Sequence, residues 1–144
     1  MIAYIDSSVI LRLVLGEHDP LREWPDVTQG VTSSLAEVEV LRTLDRLRFS
    51  VPTLDPRALA GRREAAFRLL EGLETVEITR SVLARAAQPL PTPLGTLDAI
   101  HLVSAMGWRE QFDDLVFATH DLALSAAARA SGFDVIGTTL ETGR

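Results

Sequence analysis

The sequence predicts an α/β protein with a parallel sheet and helices on both faces. Two observations carry that prediction. Short apolar runs alternate with segments of helical periodicity from one end of the chain to the other, and strands separated by helices pair in parallel. The composition is also that of an ordinary globular domain, with 47% hydrophobic and 24% charged residues, which fits disorder, collagen and coiled coil poorly. At 144 residues one domain is expected. A chain of that size buries roughly two-thirds of its surface without needing a disulfide or a structural metal.

Ile2-Ala3-Tyr4-Ile5 is an apolar run ending at Asp6 and reads as the first strand. Ser7 to Leu15 has helical spacing and Gly16 is its stop. His18 to Trp24 is expected as a short helix closed by Pro25. Gly30-Val31-Thr32 reads as the second strand and Ser34 to Phe49 as a helix. Asp55 and Pro56 open the longest helix, as N-cap and first-turn proline, and it runs to about Leu70. Thr75 to Thr79 follows as a strand and Ser81 to Ala87 as a short helix. Gln88 to Gly95 holds three prolines at alternate positions, which fixes an extended loop. Thr96 to about Arg109 is helical, Leu115 to Ala118 a strand, Asp121 to Ala130 a helix, and Asp134 to Ile136 a last strand before a Gly-containing tail. No repeat, linker or apolar run of membrane-spanning length is present. Residues 1–6 lack a basic leader and reach an acid at position 6, so a cleaved signal peptide is not expected. With no cysteine, neither a disulfide framework nor a thiolate zinc site can form. The cytoplasm is the expected compartment.

The formal charge is −6, from 20 acids and 14 bases, and every base is Arg. Nucleic-acid binders usually present a basic surface. Arginine, however, suits forked phosphate contacts, so position matters more than the total. Ligands of open α/β sheets bind beyond the carboxyl ends of the strands, and acids gather there: Asp6 after the first strand, Glu37 and Glu39 early in the helix after the second, Asp98 at the start of the helix after the proline loop, and Asp121 after the fourth strand. Each has a bland alternative. Asp6, Asp98 and Asp121 stand at helix starts, where Asp caps N–H groups or favours the dipole. Ser34-Leu-Ala-Glu37 fits a capping box. Glu39 has only an i,i+3 pair with Arg42 as its alternative, worth ~0.2–0.5 kcal/mol, so it is the favoured functional glutamate. Taken together, carboxylates converging to about 5 Å repel by roughly 3 kcal/mol per pair at an effective dielectric near 20. Such a cluster must hold protons or a hard cation. Oxygen ligands without cysteine suit Mg²⁺ or Mn²⁺. Mg²⁺ shares its shell with substrate phosphate, and that points to phosphate-ester hydrolysis.

Four segments, Tyr4-Ile-Asp6-Ser-Ser-Val-Ile, Glu39-Val-Leu-Arg42, Leu97-Asp-Ala-Ile-His-Leu-Val-Ser-Ala105 and Thr119-His-Asp121, resemble PIN-domain ribonucleases of the VapC toxin type. Their order and spacing run from residue 4 to about 137. The resemblance implies a three-layer α/β/α sandwich and a Mg²⁺-dependent endoribonuclease. It implies Asp6, Glu39, Asp98 and Asp121 as the catalytic acids, with Asp6, Asp98 and Asp121 on the metal. It further implies a homodimer, neutralised by a small antitoxin encoded beside it that covers the acidic groove. His120 and Glu37 are not family positions.

Supporting candidates are Ser7 and Thr119, whose hydroxyls could orient a metal water or serve as turn and cap groups. His101 could orient Asp98 from three residues away. Arg42 would stand near a scissile phosphate. His120 is expected as a loop residue. Arg57, Arg62, Arg63 and Arg68 form either a solvated face or an RNA track. Leu11, Val14, Leu15 and Trp24 are expected in the core rather than on a dimer surface. Rival folds lack their signatures: there is no lysine for a phospho-receiver, Ser8 stands where a haloacid-dehalogenase-type phosphatase needs a second Asp, and no P-loop or dinucleotide glycine motif occurs. A metal-free ribonuclease would pair histidines, and His18, His101 and His120 are scattered in sequence. The remaining alternative is a non-catalytic PIN-like module that binds RNA or a protein partner.

Overall fold

The computed structural model describes residues 1–139. The tail from residue 140 on lies outside the described residues. Five parallel strands form one sheet in the order β3-β2-β1-β4-β5: β1 (Ile2–Ile5), β2 (Gln29–Ser33), β3 (Glu74–Val76), β4 (Val116–Ala118) and β5 (Val135–Ile136). The helices are α1 (Ser7–Leu15), α2 (Ser34–Ser50), α3 (Pro56–Glu71), α4 (Arg80–Ala86), α5 (Thr96–Arg109) and α6 (Leu122–Ala130).

Side chains alternate across a strand, and β1 shows how that divides the core. Ala3 and Ile5 face one way, against Val9, Ile10 and Val14 of α1, Val40 and Leu44 of α2 and Ala66 of α3. Tyr4 faces the other way, packing with Phe117, Leu102 and Ala105 of α5 and Leu124 and Ala127 of α6. The result is the expected three-layer α/β/α sandwich. Leu11, Leu15 and Trp24 pack against the first of these clusters, as the core reading anticipated.

One expected helix does not form. Over residues 18–23 the chain is a loop, followed by a 3-10 turn at Trp24–Asp26. Gly16 ends α1 in the left-handed conformation (φ 64°). Pro20 then removes a backbone donor where a helix would need one. Leu21 is anchored in the core instead, and Pro25 lies in the first turn of the 3-10 segment rather than behind a helix. The proline-rich 88–95 segment is irregular, as expected. The strands expected at 75–79 and 115–118 form as the shorter β3 and β4.

Candidate active site

Register brings the ends of β1, β2 and β4 together. Tyr4 pairs with Phe117, and Ile5 with Ala118; one residue further on, Asp6 stands beside Thr119. The Asp6 N–H donates to the Ala118 carbonyl at 3.0 Å. On the other flank Thr32 Oγ1 donates to the Ile5 carbonyl at 2.6 Å. Asp6 turns the chain into α1 as its N-cap, and its side chain is almost fully buried.

A carboxylate taken out of water needs donors in return. Asp6 Oδ2 accepts from Ser8 Oγ (2.6 Å), Thr119 Oγ1 (2.9 Å) and, more loosely, the Ser8 N–H (3.4 Å). Oδ1 receives Ser7 Oγ at 3.4 Å and lies 3.6 Å from His101 Nε2. Two of these donors are themselves tied down: Thr119 Oγ1 accepts from the Asp121 N–H at 3.0 Å, and Ser8 Oγ from the His120 N–H at 3.0 Å. The end of β4 and the start of α6 are thereby fastened to Asp6.

His101, fully buried on α5, joins a second acid to the first. Its Nε2 bonds Glu39 Oε1 at 2.5 Å, and its Nδ1 meets the Tyr4 hydroxyl at 2.8 Å. The hydrogen bond that His101 could have made to Asp98 is not formed, because its two ring nitrogens are taken by Tyr4 on β1 and Glu39 on α2. Burial lowers the His101 pKa, but the Glu39 hydrogen bond and the charges of Asp6, Glu39 and Asp98 outweigh it, so the net shift is upward. Tyr4 is pushed well up by burial, then by Asp6 and Glu39.

Asp98 is half-buried in the first turn of α5. Gly95 is the cap residue there and no side chain caps the helix, so the capping explanation of Asp98 fails. Burial first, then the charges of Asp121 and Asp6, holds its carboxyl above the ordinary aspartate value. Asp121 does cap its helix: Oδ1 accepts from the Leu124 N–H at 2.7 Å. Asp6, Glu39, Asp98 and Asp121 are therefore near enough at one sheet edge for their charges to act on Asp98 or His101. Among the described residues no group of three or more His, Cys, Asp or Glu side chains is already arranged to hold a metal ion.

Other candidates fall outside the cluster. Arg42 is exposed and pairs with Asp45 at 3.0 Å, so the i,i+3 pair with Glu39 is absent. Glu37 is exposed, and the expected capping box does not form. The N-cap is Ser33, whose side chain accepts from the Leu35 N–H; this puts Ala36, not Glu37, at the third helical position. On α3, Arg68 pairs with Glu64 and Arg62 bonds the Val14 carbonyl. Ser8 and Tyr4 are contributors the sequence reading missed. The signal for Ser8 was its place two residues after a capping Asp, and for Tyr4 the strand alternation that points it at α5.

Comparison with known proteins places the chain in a family. A family model described as PIN domain matches residues 3–130, and the chain belongs to the PIN-domain family. Among curated relatives, Ribonuclease VapC46 of Mycobacterium tuberculosis (strain ATCC 25618 / H37Rv) is 36% identical over 136 residues, covering 92% of this chain and 95% of the relative. Ribonuclease VapC47 of Mycobacterium tuberculosis (strain CDC 1551 / Oshkosh) is 31% identical over 137 residues, covering 90% and 92%. The crystal structure of PAE2754 from Pyrobaculum aerophilum shares the fold, with a TM-score of 0.61 at 16% identity over 92% of this chain and 81% of that one. No helix among the described residues is long and apolar enough to cross a membrane.

Proposed function

We propose that this chain is a Mg²⁺-dependent endoribonuclease acting as the toxin of a toxin–antitoxin pair, with the activity residing in one domain over residues 1–144. The observation that carries the reading is the meeting of Asp6, Glu39, Asp98 and Asp121 at the carboxyl edge of the sheet, where burial first, and then the charges of Asp121 and Asp6, raise the Asp98 pKa. The ribonuclease names of the relatives support the same chemistry. The donor set fits a small hard cation: carboxylate oxygens, no thiolate, and a histidine already engaged by Tyr4 and Glu39. Mn²⁺ would serve the same ligands.

Asp6, Asp98 and Asp121 would hold the ion. When bound it supplies Lewis-acid stabilisation of charge at the phosphate and lowers the pKa of a water. Ser8 and Thr119 fix the Asp6 carboxylate from one side. His101 holds Glu39 towards the cluster, where that carboxylate can orient a water and accept its proton. The partners in this reading are an RNA strand, a small cognate antitoxin laid over the groove and a second copy of the chain, all in the cytoplasm.

The test is cleavage of mixed RNA in Mg²⁺ and in EDTA, by the wild type and by Asp6→Asn and Asp98→Asn. Chelation and either substitution are expected to lower the rate by ~10²-fold or more, since the metal's charge stabilisation amounts to several kcal/mol. Unchanged cleavage in both variants rejects the mechanism. Co-expression of the neighbouring small protein should relieve growth arrest; arrest that persists with a soluble, co-purifying neighbour rejects the pairing.

A further inference from the structure

A cavity of about 350 Å³ opens beside the acidic edge, lined among others by Arg12, Asp19, Leu21, Arg22, Glu23 and His120. That volume is at the low end of ligand pockets. Two guanidinium groups, two carboxylates and an imidazole around an apolar side chain offer both donors and acceptors, so the wall is not a plain anion hole. The cavity shares its boundary with the acidic cluster. His120 lies between Thr119 and Asp121, and its backbone N–H donates to Ser8 Oγ at 3.0 Å, which donates to Asp6 Oδ2 at 2.6 Å. Arg12 follows Ser8 by one turn of α1.

His120 Nδ1 lies 2.8 Å from the Gly137 carbonyl oxygen. A carbonyl only accepts, so Nδ1 carries the hydrogen and the ring is pinned in place. Nε2 is buried and has no partner among the described residues, so the ring lines the cavity as a fixed flat wall rather than through a free polar atom. Arg22 is exposed, and among the described residues no carboxylate lies within ion-pairing distance of it.

We propose that this cavity seats one unpaired nucleotide of the RNA strand next to the scissile phosphate, with Arg22 donating to it and the His120 ring and Arg12 side chain forming the wall against which its base lies. The proposal rests on the ribonuclease reading above. Unpaired RNA is read this way: splayed bases lie on histidine and arginine planes and are hydrogen-bonded at their edges, and the 2′-hydroxyl distinguishes RNA from DNA. The mixed charge of the wall suits a base edge better than a bare phosphate.

The experiment is steady-state cleavage of short labelled RNAs by the full chain in Mg²⁺, with cut sites mapped in a mixed RNA pool. The variants are Arg22→Ala, on the surface, and His120→Asn, whose amide keeps a donor for Gly137 while removing the ring from the cavity wall. Each is expected to raise KM by about tenfold, an ordinary loss for one base contact, with a smaller change in kcat and an altered choice of nucleotide beside the cut. An abasic or 2′-deoxy nucleotide at that position should weaken the wild type by a similar factor and add little in the variants. If His120→Asn fails to fold, Arg22→Ala decides alone. Metal-dependent cleavage by the wild type with unchanged KM and cut pattern in the folded variants overturns the subsite and leaves the nuclease reading standing. Absence of metal-dependent cleavage by the wild type overturns both.

Discussion

Asp98 and His101 are titrating groups whose pKa values lie above the ordinary 3.8 and 6.5. A group that holds its proton more tightly when folded contributes stability fully present below its unfolded pKa and lost as pH rises through its folded pKa. For Asp98, raised by burial and then by Asp121 and Asp6, that stability declines as pH rises above 3.8, because the ionised carboxylate is the form that burial and its acidic neighbours disfavour. Asp98→Asn is therefore expected to raise stability in EDTA at pH 7, read as a higher Tm and amounting to less than about 1 kcal/mol because the group is partly solvated, while cleavage in Mg²⁺ collapses. A Tm equal to or below that of the wild type would show that the carboxylate is not under strain. For His101 the window opens above pH 6.5. Urea unfolding in EDTA should give lower stability at pH 8 than at pH 6.5, and His101→Gln should flatten that dependence. An unchanged slope in the variant would assign the pH effect to other groups.

At the scale of an element, capping and the proposed metal chemistry overlap at Asp121 without competing, because the cap uses only Oδ1. Asn caps about as well as Asp, whereas Ala costs ~1 kcal/mol. Asp121→Asn should keep the thermal stability of α6 and lose cleavage, and Asp121→Ala should lose both; a fully active Asp121→Asn would reduce this residue to a cap. Gly137 is a second point where backbone and site meet. Its φ is 92°, and a Cβ there would stand 2.4 Å from the Thr119 carbonyl oxygen. Gly137→Ala should cost about 1–3 kcal/mol and weaken cleavage, since Thr119 holds Asp6. The elements legible in the sequence were those with long apolar periodicity or a proline rule, such as α2, α3, α5 and the 88–95 loop. The segment at 18–24 misled because its helical spacing was too short to outweigh Pro20 and the burial of Leu21. The capping box misled by one residue, because Ser33 and Ser34 look alike in sequence and only the end of β2 decides which of them caps.

For the whole molecule, the strand order explains why four acids distant in sequence meet. The chain runs outward from β1 through β2 to β3, then crosses back to place β4 and β5 on the opposite side. The direction of winding therefore changes at the β1–β4 boundary, where open sheets leave a crevice, and Asp6 and Asp121 follow those two strands. The alternation of elements was readable from sequence. The strand order was not, because it is set by which faces of α1–α3 and α5–α6 bury against the sheet. Nor could spacing show that His101 reaches Glu39 and Tyr4, 62 and 97 positions away, since that depends on the sheet bringing three elements together. In the proposed function Mg²⁺ keeps part of its shell for substrate phosphate, so metal and RNA should bind as mutual ligands. Thermal shift with Mg²⁺ alone, or with a 2′-O-methyl RNA that resists cleavage, should be small. Both together should stabilise by more than the sum, with a coupling of about 1–3 kcal/mol. Strictly additive shifts would mean that the ion is held without help from substrate phosphate.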